Sequence, residues 1–327
     1  MEPNPVYPNL LLSYHFYKKA DLDEMIPACF AQPYPQIFAD SGAFSAMTTG
    51  AQVNITDYMA WIKRWQHWFV TYSNFDVVGD ANATAVNQSI MENAGYAPLP
   101  VFHASNEWKP LEDLLAAGYT YIALGGLVPL AVFSKTRMRY LIKAFQMAAG
   151  KAVFHGYGIT AWKPMSELPW YSVDSSTWAS GFMWGRLHLF DRRRGVFENP
   201  ALSSIKECYR SKHLFEEYGF DWRDFADREK NKVMNGECLE RLCALGVLSF
   251  MVAEKYLRNK FGGIQIPGAQ QREGMRLYMV NIRKDMETSF GRKHAVPEGI
   301  RVYLASPSGK TQWNAIKNGI ARGKALT

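Results

Sequence analysis

The chain has 327 residues, 48% of them hydrophobic and 20% charged, which is enough apolar material for one sizeable domain with an appendage or two unequal domains and excludes a disordered tail. Its formal charge of +7 is unevenly placed: residues 1–199 carry 15 Lys/Arg against 16 Asp/Glu, a net of −1, whereas residues 200–327 carry 22 against 14, a net of +8. A near-neutral part followed by a basic one points to a polyanionic partner such as nucleic acid, with a merely soluble basic surface as the plainer alternative.

Short apolar runs predict strands over 10–14 (LLLSY), 36–40 (QIFAD), 75–80 (FDVVGD), 98–104 (PLPVFHA), 119–125 (YTYIALG), 151–158 (KAVFHGYG), 170–174 (WYSVD) and 181–185 (GFMWG). Helical patterns fall between them, over 21–27, 56–69 with Thr56 as cap, 84–93, 110–117 opened by Pro110, and 134–149. From about residue 200 the texture turns helical, over 201–218, 221–233 and 236–260, with breaks at Gly219 and Gly236. MRLYMVNIRKDM reads as a strand leaving the fold, and the end of the chain as a strand, a turn at SPSG and a basic helix.

Eight strands alternating with helices predict an α/β fold, a (β/α)8 barrel over about residues 1–195, with 196–327 as a basic, mainly helical region packed on it and contacting nucleic acid. No GxGxxG follows the first strand and no GxxxxGK[ST] occurs, so dinucleotide and P-loop readings have little support. The opening MEPNPVYPNL has prolines in place of a signal peptide's basic region, and no run reaches the ~18 apolar residues of a membrane span, so a cytoplasmic protein without a membrane partner is expected. Cys29, Cys208, Cys238 and Cys243 read as free thiols; a zinc set of the last three with His213 departs from the usual short-knuckle spacing.

In a parallel barrel the reactive groups collect at the carboxyl ends of the strands. Asp40 in FADSGAFS, Asp80 in FDVVGD, His103 in VFHAS, Gly125 and Gly126 in ALGGL, His155 and Tyr157 in FHGYG, and Asp174 in SVDSS all fall there. Each has a plainer reading: Asp40 and Asp80 as turn or cap carboxylates, Asp40 on the amides of Gly42 and Ala43, and His103 and His155 as core histidines. Their convergence carries the information. Asp174 ends a buried strand, where a carboxylate is either hydrogen-bonded and silent or held ready for chemistry. Gly42, Gly125 and Gly126 remove side chains where strand meets loop, which lets a flat heterocycle approach the backbone, with Phe44, Tyr157 and Trp178 as candidate faces.

DSGAFS at 40–45, FDVVGD ending at Asp80, LGGLVP at 124–129, TRMRYL at 136–141, and FHGYG followed by SVDSS at 154–176 together resemble the tRNA-guanine transglycosylase superfamily, most closely its phage and bacterial DNA 7-deazaguanine branch. The resemblance covers roughly residues 8–190 and implies a (β/α)8 enzyme exchanging guanine in a polynucleotide for a 7-deazaguanine base such as the 7-cyano form. It implies Asp174 as nucleophile and Asp40 as the proton-transferring carboxylate. It also implies Asp80, Gly125 and Gly126 around the base, joined by Ser41, His103, His155 and Tyr157. The departures are Ala43 for the second Gly and Ser45 for Gln in DSGG[FY]Q, Ala81 for the Glu after the base-binding aspartate, and Val173 and Ser175 for the Phe and Cys around the nucleophile. The CxCxxC zinc set of the tRNA enzymes is missing after residue 190, so no metal or other cofactor is implied, and DNA is favoured over tRNA as partner.

The mechanism implied is a double displacement at the glycosidic carbon with a covalent aspartyl intermediate, which keeps the polymer site reactive while one base leaves and another enters. A duplex substrate requires base flipping, Arg192, Arg193 and Arg194 reading as phosphate contacts or as a solvated charge run. The free deazapurine is the second substrate, protein accessory factors are conceivable, and a phage-encoded enzyme would act in the host cytoplasm. The rivals are zinc-free tRNA-guanine exchange, an N-glycoside hydrolase, and a non-catalytic nucleic-acid-binding module.

Overall fold

The computed structural model describes residues 7–43, 46, 50, 53–104, 107–127, 135–159, 161–226, 236–262, 264–267 and 276–280. Among these, seven parallel strands follow one another along the chain: β1 (Asn9–Ser13), β2 (Ile37–Asp40), β3 (Phe69–Tyr72), β4 (Val101–His103), β5 (Tyr121–Gly125), β6 (Val153–Gly156) and β7 (Ser172–Ser175). After a two-stranded antiparallel hairpin, β8 (Leu189–Asp191) and β9 (Val196–Glu198), comes β10 (Arg276–Val280). The large sheet runs β3-β2-β1-β10-β7-β6-β5-β4, so β10 lies between the first strand and the seventh, parallel to both.

The two outermost strands also meet. Leu99 N donates to Tyr72 O at 2.8 Å, and Asn74 N donates to Leu99 O at 2.9 Å, a parallel bridge between the residues after β3 and those before β4. The sheet therefore curls, and Phe38 of β2 reaches His155 of β6 with ring centroids 4.6 Å apart.

Helices cover the outside. α1 (Leu22–Cys29) starts where the Asp21 side chain accepts from the amides of Asp23 and Glu24, and α2 (Ile55–Trp65) where Asn54 accepts from Asp57 N. Tyr58, Trp61, Ile62 and Trp65 recur at helical spacing and bury one face of α2 against Leu10, Leu12 and Ile37, each contributing roughly 1.5–3 kcal/mol of apolar burial. α3 (Ala81–Asn93), α4 (Lys109–Ala116), α5 (Lys135–Ala148) and α6 (Trp162–Glu167) complete the strand–helix alternation. α7 (Ser180–Trp184), α8 (Ile205–Arg210), α9 (Lys212–Glu217), α10 (Arg223–Ala226) and the long α11 (Gly236–Phe261) follow. α11 packs its apolar side on β8 and on the segment after β7, and Glu254 reaches Asn9 at the start of β1, accepting from its Nδ2 at 3.1 Å. Among the described residues no helix is long and apolar enough to cross a membrane.

Several expectations change. FDVVGD is not a strand: Val77 O accepts from Asp80 N, Thr84 Oγ1 accepts from Val77 N, and Gly79 takes φ +85°, so the segment folds into a turn on α3 while FVTY supplies β3. GFMWG is helical, ending at Gly185 with φ +65°, because Gly181 lets the helix sit against Leu187; the strand place expected for it is filled by β10. The MRLYMV segment thus enters the sheet instead of leaving it, and the sheet is not contained in residues 1–195; the helical region is inserted between β7 and β10. Thr56 lies inside α2, the cap being Asn54, two residues earlier. The end of the chain read as strand, turn and helix lies outside the described residues.

Gly246 tests the packing of α11. A Cβ there would run into the backbone carbonyl of Trp178. Gly246→Ala gains ~1 kcal/mol of helix propensity but forces two backbones apart, so we expect a net loss of about 1–2 kcal/mol in urea unfolding. An unchanged or raised midpoint would show that the close approach of α11 to the post-β7 segment is not needed.

Candidate active site

Side chains alternate across a strand, so residues two apart share a face. That rule places Phe38 with Asp40, Val101 with His103, Tyr121 and Ala123 with Gly125, and Ser172 with Asp174. Leu11, Phe38, Leu99, Val101 and Ala123 pack together inside the curled sheet, with Tyr121 and Tyr157 against them. The polar residues lie one step further toward the carboxyl ends of the same strands. The apolar plug is the floor and the polar ring is the mouth.

At β2, Asp40 Oδ2 accepts from Gly42 N at 2.9 Å, a turn contact made possible by φ +73° at Gly42. A side chain at Gly42 would strike Ser13 and His15, so glycine is also required by close packing against the end of β1. Burial of the Asp40 carboxyl, and then the charge of Asp76, push its pKa up to about 7, with Asp174 adding a smaller repulsion that the Gly42 amide partly offsets. Asp40 therefore exchanges a proton near neutral pH.

Asp76 is the residue that sequence reasoning passed over. It follows β3 inside FDVVGD, and its Oδ1 accepts from Ser41 Oγ at 3.0 Å while its Oδ2 lies 3.1 Å from His103 Nε2. Ser41 is fixed in turn, its amide donating to Ser73 Oγ at 3.0 Å and its Oγ accepting from Ala43 N at 3.2 Å. Asp80, the expected carboxylate of this segment, stands away from the mouth: exposed, it caps α3 by accepting from Ala83 N at 2.9 Å. The signal that would have separated them is chemical. An aspartate followed by Ala-Asn-Ala at the start of a helical pattern is a cap, whereas Asp76 has no such helix to serve.

Over Gly125 the space that a side chain would fill is taken by the His103 imidazole, with Cδ2 at 2.7 Å from the ideal Cβ position. Gly125 therefore serves the seating of His103, where a flat ligand over the backbone had been expected. Gly126, at φ +67°, supplies the backbone conformation that turns the chain out of β5.

On the other side of the mouth, Asp174 of β7 is buried, and its Oδ1 receives both the Gly158 amide at 2.9 Å and the approach of His155 Nε2 at 3.3 Å. No described group donates to Oδ2. His155 is fully buried; its Nδ1 lies 2.7 Å from Ser172 Oγ, which lies 2.6 Å from Tyr121 OH. Burial lowers the His155 pKa and outweighs the opposing effect of Asp174, so the ring is neutral near pH 7. The Tyr157 ring stands edge-on to His155 at 4.7 Å, and burial together with the charges of Asp40 and Asp76 keeps its phenol protonated.

The remaining candidates lie apart from this ring. Trp178 is buried in the core beside α11, and Phe44 lies outside the described residues. Arg192, Arg193 and Arg194 form the turn of the β8–β9 hairpin, where Arg192 pairs with Glu217 at 2.6 Å and Arg194 with Glu198 at 2.8 Å. Of the three guanidinium groups, only that of Arg193 makes no ion pair among the described residues. Cys208 and Cys243, weighed as zinc ligands, are buried in the apolar core, and burial raises the Cys208 thiol to about 11. Asp191, Glu198 and His213 approach within 4.8 Å of one another, a spacing that suits a cation. Asp191 already accepts from the amides of Arg193 and Arg194, and Glu198 from Arg194 and Ser211.

The Asp40 pKa makes a stability prediction. The folded value lies above the ordinary carboxylate value of 3.8, so folding is not penalised below pH 3.8, the penalty builds as pH rises through about 7, and it is complete above that. Asp40→Asn keeps an acceptor for Gly42 N and removes the penalty. We expect the variant to match the parent near pH 4 and to be more stable by ~1 kcal/mol or more at pH 8, read by denaturant midpoints across pH. A difference that shrinks toward pH 8 would reverse the assignment.

Comparison with family models and with curated proteins finds no match to this chain.

Proposed function

We propose that the chain is a DNA-guanine transglycosylase, built on a (β/α)8 barrel completed by β10, that exchanges guanine for a 7-deazaguanine base through a covalent aspartyl intermediate. The observation that carries the reading is the asymmetry of Asp174: Oδ1 accepts from Gly158 N and faces His155 Nε2, Oδ2 has no described donor, and a second carboxyl that titrates near 7, Asp40, lies close enough to feel its charge. One carboxylate oxygen poised to attack and one nearby carboxyl able to give a proton is the division of labour that displacement at an N-glycosidic carbon requires. The barrel reading is supported by the Ser73–Leu99 bridge between the outer strands.

In this reading Asp174 Oδ2 attacks C1′ of the nucleotide, the C1′–N bond breaks, its electron pair goes to the departing guanine, and Asp40 supplies the proton. The incoming base runs the steps in reverse. Asp76 takes the base-recognition role expected of Asp80: an acceptor-only fork, braced by Ser41 and His103, suits the paired N–H donors of a guanine edge. Tyr157 offers a flank of the base pocket. The net of +8 beyond residue 199 supports a polyanionic substrate, and Arg193 is the member of its triplet available to a phosphate.

The test incubates purified protein with DNA or tRNA and a labelled guanine or 7-deazaguanine, digests the polymer and identifies the nucleoside by mass. Label in DNA is expected. Label in tRNA alone would replace this reading with zinc-free tRNA exchange, and release of guanine with no insertion would replace it with a hydrolase. Asp174→Asn should still bind nucleic acid but lose release and insertion by ~10⁴-fold or more, while Asp40→Asn retains slow release. Asp76→Asn should raise the KM for the base at least tenfold, about the value of one charge-assisted hydrogen bond, whereas Asp80→Asn should not.

A further inference from the structure

We propose that a directed hydrogen-bond chain from Tyr121 through Ser172 to His155 sets the imidazole tautomer so that its Nε2–H faces Asp174 Oδ1, and so selects Oδ2 as the attacking oxygen. The proposal rests on the reading of Asp174 as nucleophile, but the chain itself follows from geometry and hydrogen-atom counting. Two hydrogen bonds run from Tyr121 OH to Ser172 Oγ at 2.6 Å and from Ser172 Oγ to His155 Nδ1 at 2.7 Å, and His155 Nε2 then faces Asp174 Oδ1 at 3.3 Å, within reach of its charge but outside hydrogen-bond alignment.

A carboxylate only accepts, so at this distance an Nε2 that carries hydrogen is attracted to Asp174 Oδ1, whereas a bare Nε2 lone pair is repelled. A neutral imidazole has one N–H, which makes Nδ1 an acceptor. The Ser172 hydroxyl must then donate its single hydrogen to Nδ1, and it receives one from Tyr121. With a neutral ring, this arrangement satisfies both hydrogen bonds and turns an N–H toward the carboxylate. The surroundings favour that ring state, since the rings of Phe38 and Tyr157 stand 4.6 and 4.7 Å from the imidazole, which is fully buried. Tyr121 is steadied by an edge contact with Tyr171 at 4.8 Å.

The parallel register makes this chain possible. His155 of β6 lies beside Ser172 of β7, and Tyr121 opens β5 on the same inner face. Asp174 then lies two residues beyond Ser172, one layer nearer the mouth. When Oδ2 bonds to C1′, Oδ1 becomes the ester carbonyl oxygen and keeps the Gly158 amide and the facing imidazole N–H. When the incoming nitrogen attacks C1′ and gives its proton to Asp40, the C1′–Oδ2 pair returns to the carboxylate, and the donors on Oδ1 stabilise the charge that reappears. Tyr121, Ser172 and His155 are thus positioning residues, and His155 does not read the base.

The test combines a tautomer measurement with kinetics on the full chain. With ¹⁵N-labelled histidine, NMR should show one buried imidazole protonated on Nε2 and accepting at Nδ1, assigned by its loss in His155→Gln, and the Nδ1 signal should shift in Ser172→Ala. A ring protonated on Nδ1 or on both nitrogens, or one indifferent to Ser172→Ala, overturns the chain. In base exchange, His155→Gln places an amide N–H near the position of Nε2, whereas His155→Asn reaches only as far as Nδ1. We expect kcat to fall about three- to tenfold for Gln, Tyr121→Phe and Ser172→Ala, and about 10²-fold for Asn, with the KM for the base unchanged. Equal kcat for Gln and Asn, or an effect confined to KM, overturns the positioning role. If the parent protein neither exchanges nor releases a base, the functional reading fails, and the tautomer still decides whether the chain exists.

Discussion

Everything in the candidate site depends on the two-residue repeat of parallel strands around a shared interior. Each strand sends alternate side chains inward, and the inner positions nearest the carboxyl ends carry the polar residues. Phe38, Val101 and Ala123 fill the floor, and the next inward residues along those strands are Asp40, His103 and Gly125. The apolar floor also sets the dielectric in which the polar ring must work, so the same packing that stabilises the sheet raises the cost of every charge at its mouth.

That cost explains the hydrogen bonding. Asp40, Asp76 and Asp174 cannot all hold full charge close together without compensation, and the described surroundings answer each one differently. Asp76 is given Ser41 and His103, Asp174 is given Gly158 N and His155, and Asp40 is given the Gly42 amide and a pKa near 7. One carboxyl is thereby left to carry a proton while its neighbours are braced by donors.

The insertion after β7 shows how far packing can separate chain order from spatial order. One hundred residues, 176–275, intervene between β7 and β10, yet β10 pairs with β7 over four residues, Arg276–Met279. α11 spans the gap by running from the post-β7 segment, where Gly246 meets the Trp178 backbone, to Asn9 at the start of β1. The hairpin and short helices are tied to it through Phe190 N donating to Ser249 Oγ and Tyr218 OH donating to Phe190 O, and they add a layer to the sheet's surroundings without entering it.

Local pattern was enough to read the α/β alternation, most strands, and the placing of Asp40, His103, His155 and Asp174 at strand ends, because apolar runs and their flanking polar residues are set by which side of a strand meets the interior. It was not enough at FDVVGD, where Gly79 and the Thr84 clamp decide between strand and turn, or at GFMWG, whose apolar run satisfies a helix as well as a strand. The choice of Asp76 over Asp80, the seating of His103 over Gly125, and the entry of Arg276–Val280 between β7 and β1 depend on partners distant in the chain. Sequence by itself determined which side chains face inward, since alternation is local; tertiary structure decided which of them meet, because hydrogen bonds and burial are made between segments that only the folded chain brings together.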